Sequence, residues 1–368
     1  MSSKREVRVL EVMPRATGGI ARHVAQIIDG LNARDGLTVE LAAPALDVDV
    51  PKPAHHVDLP DGPVRGHRRA IGQVRSLLVD ERYDVVHAHG LRAGIDAGVA
   101  ARRAGVPCVV TIHNVILEDT VGLLRAALYR RSEALAVRLA DRVLAVSQEI
   151  AARLPGDPDK IEVLYAGIGD APQITRPAAE VRTELDATDR PLVVTAARLA
   201  PQKALHVMLR AMARLDDSVL AVAGSGPHEL ELKALARSLG IQSRVRWLGH
   251  RTDVPDLIAA ADVFCLSSVW EAVALAVQEA VLLGTPVVAT AVGGIPELIT
   301  DGVSGRLVPS DDHCALADAL RATLDSPADR ETFVKNARGA HDIRFSSGKL
   351  LDRLQEIYEA LHDGTAHE

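Results

Sequence analysis

The chain has 368 residues, which is enough for two domains that each bury a hydrophobic core. Its formal net charge is -7 and it carries no long basic block, so no nucleic acid is expected as a partner. Three scattered cysteines, Cys108, Cys265 and Cys314, indicate reduced thiols in the cytoplasm and argue against a disulfide framework or a zinc site. We also find no signal-peptide core at the N-terminus and no apolar stretch of membrane-spanning length.

Strand and helix patterns then alternate along the chain in two successive runs. The first run predicts strands at VRVLEVM, TVELAAP, DVVHAH, PCVVTIH and DRVLAVS, with a helix after the first strand and others near 66–82 and 92–104. The second run predicts strands at PLVVTAARL, VLAVAG, VRWLG, DVFCLS, PVVAT and RLVP, with helices near 203–214, 227–239 and 253–260. Strands that alternate with helices in this way indicate right-handed crossovers and parallel sheets.

The two runs predict an α/β protein with two doubly wound, Rossmann-like domains that face each other across a cleft. They meet near residues 166–190, where AGIGDAPQITRPAAE suits an interdomain linker. We place the N-terminal domain at residues 1–170, the C-terminal domain at 171–345 and a final helix within 346–368. In such sheets ligands bind beyond the carboxyl ends of the strands, so residues that follow strands are the candidates for a site.

Two glutamates, Glu271 and Glu279, stand eight residues apart in the apolar run SSVWEAVALAVQEAVLLGTPVVAT. On one helix, eight residues turn the chain by about 80° net, so the two carboxylates would lie roughly on one face. Neither has a basic residue at helical spacing, so its hydrogen-bond donors must come from elsewhere, and the hydroxyl groups of a sugar would supply them. A structural role for the pair stays an open alternative.

Two basic residues, Arg198 and Lys203, lie at the end of the strand VVTAA and at the start of the next helix. Both could contact one anion, and two fixed cations would stabilise a leaving diphosphate without a metal. A solvated basic loop is the alternative.

Glycine pairs follow two of the predicted strands. Gly18 and Gly19 stand between the first strand and its helix, where the helix N-terminus favours an anion and glycine lets the backbone approach a phosphate. The segment lacks the GxGxxG spacing, so it does not specifically indicate a dinucleotide fold, and a plain turn is the alternative. Gly293 and Gly294 in VGGIPELI form a second pair that could face a phosphate.

Histidines and a pair of aspartates complete the candidates. His113 ends the strand PCVVTIH and would face the ligand-binding edge, although a lone histidine is more often structural. His87 and His89 alternate on DVVHAH, but no third ligand has metal-binding spacing, so we interpret them as satisfied strand-end histidines. Asp47 and Asp49 form a D-x-D in a Pro-rich loop, which we interpret as accidental.

Together these segments resemble the retaining family-4 glycosyltransferases of the GT-B fold, from about residue 7 to 340. The most specific part is the E-x7-E element at Glu271 and Glu279, followed by GTPVVAT, VGGIPELI and DGVSGRLVP. The segments TGGIARHV, DVVHAHG, VVTIHN, ARLAPQKALHVML, AVAGSGP and VRWLGHR support the resemblance.

The resemblance implies that a UDP- or GDP-linked sugar is the donor, held mostly by the C-terminal domain. Arg198 and Lys203 would bind the diphosphate and stabilise the departing nucleotide. Glu279 would bind the ribose hydroxyls, Glu271 a hydroxyl of the sugar, and His113 the sugar near the reacting carbon. The other implied donor contacts, mainly through backbone groups, are at Gly18, Gly19, Arg251, Ala272, Val273, Ala274 and Leu275. The backbone amides at Gly19 could instead lie near the acceptor.

The resemblance also implies the course of the reaction. Retention of configuration in this family is explained by front-face attack, so no enzymic nucleophile, metal or other cofactor is required. The final helix is expected to cross back to the N-terminal domain.

The chain departs from the family pattern at glycines. Where the family has E-G-F-G-L, this chain has Glu271-Ala272-Val273-Ala274-Leu275, and alanine also replaces glycine before Arg198 and after Lys203. An alanine at a position of positive φ costs roughly 1 kcal/mol or shifts the loop. Because the charged residues are kept, we expect an active enzyme with an altered choice of sugar.

Two other functions stay open, namely a nucleotide-sugar-binding regulatory protein without turnover and a GT-B-like nucleotide-sugar epimerase. The epimerase would need acid/base carboxylates in the N-terminal half. The acceptor of a transferase could be a glycan, a lipid-linked sugar or a small molecule. The arginine-containing segment 121–142 and RGHRR at 65–69 could contact the inner face of an anionic membrane, with an ordinary surface helix as the alternative.

Overall fold

The computed structural model describes residues 6–15, 18–44, 54–60, 62, 65–114 and 123–365 of the chain. The chain forms two compact units. Met1–Ala166 and Ser347–Glu368 belong to the first unit, and Gly167–Ser346 forms the second. The chain thus changes unit after Ala166 and again after Ser346.

The first unit is built on a seven-stranded sheet with the order β3-β2-β1-β4-β5-β6-β7, in which all pairings are parallel. Every residue of β4 and β5 is buried, as expected for strands covered on both faces of a parallel sheet. The strands are β1 (Val7–Val12), β2 (Leu37–Ala43), β3 (His55–His56), β4 (Val85–His89), β5 (Cys108–Ile112), β6 (Arg142–Ala145) and β7 (Ile161–Val163). The helices between them are α1 (Gly19–Asn32), α2 (His67–Asp80), α3 (Leu91–Ala104), α4 (Leu123–Leu139) and α5 (Gln148–Arg153).

The second unit is built on a six-stranded parallel sheet with the order β10-β9-β8-β11-β12-β13. Its strands are β8 (Leu192–Ala196), β9 (Val219–Ala223), β10 (Val245–Gly249), β11 (Val263–Leu266), β12 (Val287–Thr290) and β13 (Arg306–Val308). Its helices are α6 (Ala178–Glu184), α7 (Leu205–Met212), α8 (Glu229–Ser238), α9 (Val254–Ala260), α10 (Leu275–Leu283), α11 (Ile295–Leu298), α12 (His313–Leu324) and α13 (Pro327–Arg344).

The final helix, α14 (Ser347–Thr365), belongs to the first unit. Leu354 and Tyr358 are fully buried in the core cluster that also contains residues of β1, β2 and α1. The Arg353 guanidinium donates to both oxygens of the Glu162 carboxylate, at 2.7 and 2.9 Å. The end of the chain thus supplies part of the core of the first unit, as the resemblance implied.

The predicted fold class, α/β with two doubly wound Rossmann-like domains, is confirmed, and every strand predicted from the sequence is present. The sequence did not predict β3 and β7. Both are edge strands, of two and three residues, which is too short for a periodic pattern. Among the helices of the described ranges, none is both long and apolar enough to cross a membrane.

The strand order reverses once in each sheet, between β1 and β4 in the first unit and between β8 and β11 in the second. The crevice outside the carboxyl ends of the strands at such a reversal is where doubly wound sheets bind their ligands. The candidate residues are therefore expected at these two places.

Candidate functional site

Two neighbouring loops at the carboxyl edge of the second sheet hold most of the predicted donor-binding residues. One loop follows β8 and contains the exposed Arg198 and, in a 3-10 turn (Pro201–Lys203), Lys203. The other follows β11 and contains Glu271. Because β8 and β11 pair at the reversal of strand order, the two loops lie side by side.

Hydrogen bonds join these two loops. The Val269 amide donates to the Gln202 carbonyl at 2.8 Å, and Gln202 Nε2 donates to the Trp270 carbonyl at 2.8 Å. The Ser267 hydroxyl donates to the Lys203 carbonyl at 3.0 Å. These contacts fix the backbone of Lys203 relative to the loop that carries Glu271.

Lys203 and Glu271 form an ion pair in which Lys203 Nζ donates to Glu271 Oε1. The Ser268 hydroxyl donates to the same oxygen. The side chain of Glu271 is 8% exposed and that of Lys203 is 22% exposed, so the pair lies at the boundary of the protein interior. The sequence offered no partner at helical spacing, and the partner comes instead from the adjacent loop.

The two glutamates do not lie on one helix, which corrects the geometry expected from their spacing. α10 begins at Leu275, so Glu271 precedes the helix and only Glu279 lies within it. Both residues are buried. The position of Glu271 is therefore set by its loop and not by helical periodicity.

The second glycine pair holds this loop. Gly293 has φ +56°, and a Cβ atom at this position would lie 1.5 Å from the Glu271 carbonyl oxygen, so no other residue fits. The Gly294 amide donates to the carbonyls of both Glu271 and Ala272, at 3.1 Å each. This amide is thus used within the protein.

Two of the alanines that replace family glycines have positive φ. Ala204 has φ +42° and Ala274 has φ +25°, whereas Ala272 lies outside the positive-φ region. Ala274 directly precedes the first residue of α10, Leu275, and the carbonyl of its neighbour Val273 accepts from Gln278 Nε2 at 3.3 Å. The backbone therefore keeps the conformation that glycine favours, at a cost in strain.

Arg251, which follows β10, is held by ion pairs of its side chain. Its guanidinium donates to both Asp253 oxygens at 2.6 Å and to Glu184 Oε1 at 2.9 Å. These Arg251 contacts, together with one from Arg176, lower the pKa of Asp253 to about 2. The side chain is thus engaged within the second unit, and the contact with a nucleotide base that the resemblance implies here is one of the backbone.

A buried cluster lies at the reversal of strand order in the first unit. His89 Nε2 lies 2.6 Å from Glu11 Oε2, and His89 Nδ1 lies 3.0 Å from His113 Nε2. His87 Nδ1 lies 2.5 Å from the Tyr358 hydroxyl, which donates to Glu11 Oε1 at 3.0 Å. We call these five residues the histidine cluster. His87 Nε2 also contacts the Thr111 hydroxyl at 2.7 Å.

Burial acts against the charged forms of the imidazoles here. Burial, with a further contribution from His89 and His87, lowers the pKa of His23 to about 3. Burial also lowers the pKa of His89 and holds the pKa of His113 well below its usual range. For Glu11, burial alone would raise the pKa, but the contacts with His87 and His89 outweigh it and hold that pKa well below its usual range.

Sequence reasoning found His87, His89 and His113 but missed Glu11 and Tyr358. Spacing along the chain could not reveal them, because Glu11 comes from β1 and Tyr358 from α14. The available signal was a charged residue inside the apolar strand VRVLEVM. The interpretation of His87 and His89 as histidines with satisfied nitrogens agrees with their contacts.

The first glycine pair opens α1, as predicted. Gly18 has φ 69° and ψ -127°, a combination open only to glycine, and α1 begins at Gly19. Asp47 and Asp49 lie outside the described residues, as do the two residues before Gly18.

Comparison with known proteins identifies the family. Residues 17–171 match Glycosyltransferase Family 4, and residues 179–340 match Glycosyl transferases group 1. The D-inositol 3-phosphate glycosyltransferase of Mycobacterium avium is 31% identical over 97% of this chain and 85% of its own length. The UDP-Gal:alpha-D-GlcNAc-diphosphoundecaprenol alpha-1,3-galactosyltransferase of Escherichia coli is 30% identical over 77% of this chain and 76% of its own length.

Solved structures share the fold. The Anabaena protein HepE in complex with UDP and glucose superposes with a TM-score of 0.83 at 22% identity, over 96% of this chain and 100% of that chain. Sucrose-phosphate synthase from Thermosynechococcus elongatus superposes with a TM-score of 0.83, also at 22% identity, over 98% of this chain and 100% of that chain. Two doubly wound parallel-sheet units of this kind define the GT-B class.

Within that class, the chain belongs to the family-4 glycosyltransferases, and the resemblance seen in the sequence is confirmed.

Replacing Ala274 by glycine is expected to stabilise the second unit by about 1 kcal/mol, because it relieves a positive φ at an alanine. Both tryptophans, Trp247 and Trp270, lie in the second unit, so urea unfolding followed by tryptophan fluorescence measures this change. The control is Ala272→Gly, which removes the same methyl group where φ is not positive and should lower stability by up to about 1 kcal/mol. Equal effects of the two changes would contradict the strain.

The first unit is expected to lose stability as the pH falls below about 6.5. The unfolded chain then binds a proton at His23 that the folded chain, with its pKa of about 3, does not. His23→Leu should therefore reduce the slope of unfolding free energy against pH, between pH 6 and 4, by up to about 1.4 kcal/mol per pH unit. Urea unfolding followed by circular dichroism measures the slope, with the exposed His250→Leu as control. An unchanged slope in His23→Leu would show that His23 is protonated in the folded protein.

Proposed function

We propose that this protein transfers a sugar from a nucleotide-diphosphate sugar to an acceptor hydroxyl. The observation that carries the proposal is the pairing of Lys203 with Glu271 at the strand reversal of the second unit, where the loop of Lys203 also contains Arg198. One place then offers cations for a diphosphate and a carboxylate for sugar hydroxyls. The names of the relatives support it, since the Escherichia coli enzyme uses UDP-Gal and the Anabaena structure holds UDP and glucose.

In this mechanism Arg198 and Lys203 bind the diphosphate. The phosphate oxygens compete with Glu271 for the Lys203 ammonium, and the carboxylate then accepts a hydroxyl of the sugar. Glu279 accepts the ribose hydroxyls. As the bond to the sugar breaks, negative charge grows on the leaving diphosphate, and two cations fixed by their loops stabilise it most at that moment.

The remaining donor contacts come largely from backbone groups. The amides of Ala272, Val273, Ala274 and Leu275 lie where the loop enters α10 and contact the sugar. The backbone near Arg251 contacts the base, and the amides at Gly18 and Gly19 approach the diphosphate. His113, in the first unit, contacts the sugar near its reacting carbon.

We further propose that configuration is retained and that no metal takes part. The acceptor attacks from the face that the diphosphate leaves, and a phosphate oxygen takes the proton of the acceptor. Arg198 and Lys203 provide the charge stabilisation that other nucleotide-sugar enzymes obtain from a divalent cation. The anomeric configuration of the product, read by proton NMR, tests retention directly.

The donor site is tested by thermal unfolding with UDP, GDP, ADP and dTDP. A ligand at a hundred times its dissociation constant adds about 2.7 kcal/mol of stability. We expect one diphosphate to raise the melting temperature of the wild type and to have little effect on Lys203→Ala. Each variant is compared with its own ligand-free protein, because Lys203→Ala also leaves the buried Glu271 without its partner.

The matched control is Lys233→Ala, in α8 of the same unit, where the lysine pairs with the partly exposed Glu229. It should keep the full ligand-induced shift. If no diphosphate stabilises the wild type, the transferase proposal fails. Stabilisation without turnover of any nucleotide sugar would instead favour a regulatory binding protein.

We also propose that α4 contacts an anionic membrane and that the acceptor is lipid-linked. Leu128 and Leu135 are 57% and 43% exposed, and Arg131 and Arg138 are exposed at helical spacing from them. An exposed face of leucine and arginine suits the boundary between anionic headgroups and acyl chains. The printed name of the Escherichia coli relative, whose acceptor carries diphosphoundecaprenol, supports a lipid-linked acceptor.

Co-sedimentation with phosphatidylglycerol vesicles at low salt tests this contact. The wild type should sediment, and Leu128→Gln combined with Leu135→Gln should reduce the bound fraction severalfold. Leu230→Gln, which changes a leucine of the second unit that is 82% exposed, is the control and should bind as the wild type does. No binding of the wild type would remove the proposal.

A further inference from the structure

The proposed function uses only His113 of the histidine cluster, and the other four residues are buried without a role in it. They are also connected, because a continuous series of hydrogen bonds runs from Tyr358 through Glu11 and His89 to His113. Each hydrogen bond in this series has one donor and one acceptor, so the position of one proton determines the positions of the others.

The positions of the protons on His89 and His113 follow from the charge of Glu11. An ionised carboxylate only accepts hydrogen bonds, so the 2.6 Å contact requires the proton of His89 to be on Nε2. Neutral His89 then has a lone pair on Nδ1, and its 3.0 Å partner, His113 Nε2, must donate. A neutral His113 with its proton on Nε2 has no proton on Nδ1. The depressed pKa values of Glu11, His89 and His113 agree with these protonation states.

We propose that Glu11 and His89 are positioning residues that hold His113 in its Nε2–H tautomer, so that His113 Nδ1 accepts a hydrogen bond from a substrate hydroxyl. The proposal rests on the proposed function, in which His113 meets the sugar. It specifies the partner, because a hydroxyl proton fits an unprotonated nitrogen whereas a phosphate oxygen or a carbonyl does not. It also explains why a carboxylate is buried on the neighbouring strand, where a neutral side chain would not fix the direction.

The tautomer is read by nitrogen-15 NMR of histidine-labelled, ligand-free protein at neutral pH, which requires neither donor nor acceptor. His113 is assigned by comparison with His113→Gln. We expect the signals of a neutral imidazole with protonated Nε2 and unprotonated Nδ1. A protonated Nδ1, or an imidazolium, overturns the proposal.

Glu11→Gln provides the second test, because an amide can donate or accept at this position and no longer fixes His89. His113 should then populate both tautomers. Thermal unfolding identifies the nucleotide, and sugars linked to that nucleotide are then screened for turnover. With the donor that is turned over, the kcat for nucleoside diphosphate release should fall about 10- to 100-fold while KM for the donor changes little. Either an unchanged His113 tautomer or an unchanged kcat would contradict the proposal.

Thr111→Val is the matched control. It removes a buried hydroxyl that contacts His87, outside the path from Glu11 to His113, and should leave the His113 tautomer and kcat as in the wild type. Failure of the proposed function is recognised separately, since it appears as the absence of stabilisation by any diphosphate while the tautomer is still measured.

A metal is the rival explanation for the cluster. Ring nitrogens of His23, His89 and His113 lie within 4.8 Å of one another, and His23 Nδ1 has no hydrogen-bond partner among the described residues. Zinc is therefore added at one equivalent in the same NMR experiment. Unchanged signals of these three histidines support the hydrogen-bonded series, whereas a joint shift of all three at stoichiometric zinc overturns it.

Discussion

All pairings between the thirteen named strands of the two sheets are parallel. Between two parallel strands the chain must cross back from the carboxyl end of the first to the level where the second begins. The carboxyl ends of all strands therefore lie on the same side of each sheet. Lys203 and Glu271, which are 68 residues apart in sequence, meet there for this reason. Glu11, His89 and His113 meet in the same way, at the carboxyl ends of β1, β4 and β5, which are neighbours in the sheet.

Each unit contains a buried carboxylate, and in both units this carboxylate accepts hydrogen bonds from neighbouring side chains. A buried carboxylate without donors is costly. Glu271 accepts from Lys203 and Ser268, and Glu11 accepts from His89 and Tyr358. In the second unit the Lys203–Glu271 pair is partly exposed, so an anionic ligand can replace the carboxylate as the partner of the lysine. In the first unit the carboxylate is fully enclosed, so it can act only through the residues that it contacts.

The sequence allowed the strands and the charged candidates to be predicted, because apolar runs such as those of β5 and β11 and unpaired charges are local signals. The charged candidates were local signals because no opposite charge stands at helical spacing from them, although Glu271 is paired with Lys203 in the structure. What the sequence could not reveal depends on sheet order or on backbone conformation. The contact of Glu11 with His87 requires the register of β1 against β4, where these residues are directly paired. The fit of Gly293 against the Glu271 carbonyl and the positive φ of Ala274 are features of the folded backbone. The helical geometry expected for Glu271 and Glu279 was wrong because α10 begins four residues after Glu271.

The place of α14 in the core of the first unit has a consequence for biosynthesis. A ribosome completes β1–β7 before it begins the second unit, yet Leu354 and Tyr358 follow the whole of that unit. The contiguous second unit can finish folding while the first still lacks one wall of its core. At ordinary elongation rates, the time between the synthesis of β7 and that of Leu354 and Tyr358 is on the order of 10 to 40 seconds. During this time the core residues of β1, β2 and α1 lack the packing of Leu354 and Tyr358, and the Glu11 carboxylate lacks the Tyr358 hydroxyl. Chaperones that bind exposed apolar surface on the ribosome therefore have their longest opportunity on the half of the protein that is made first.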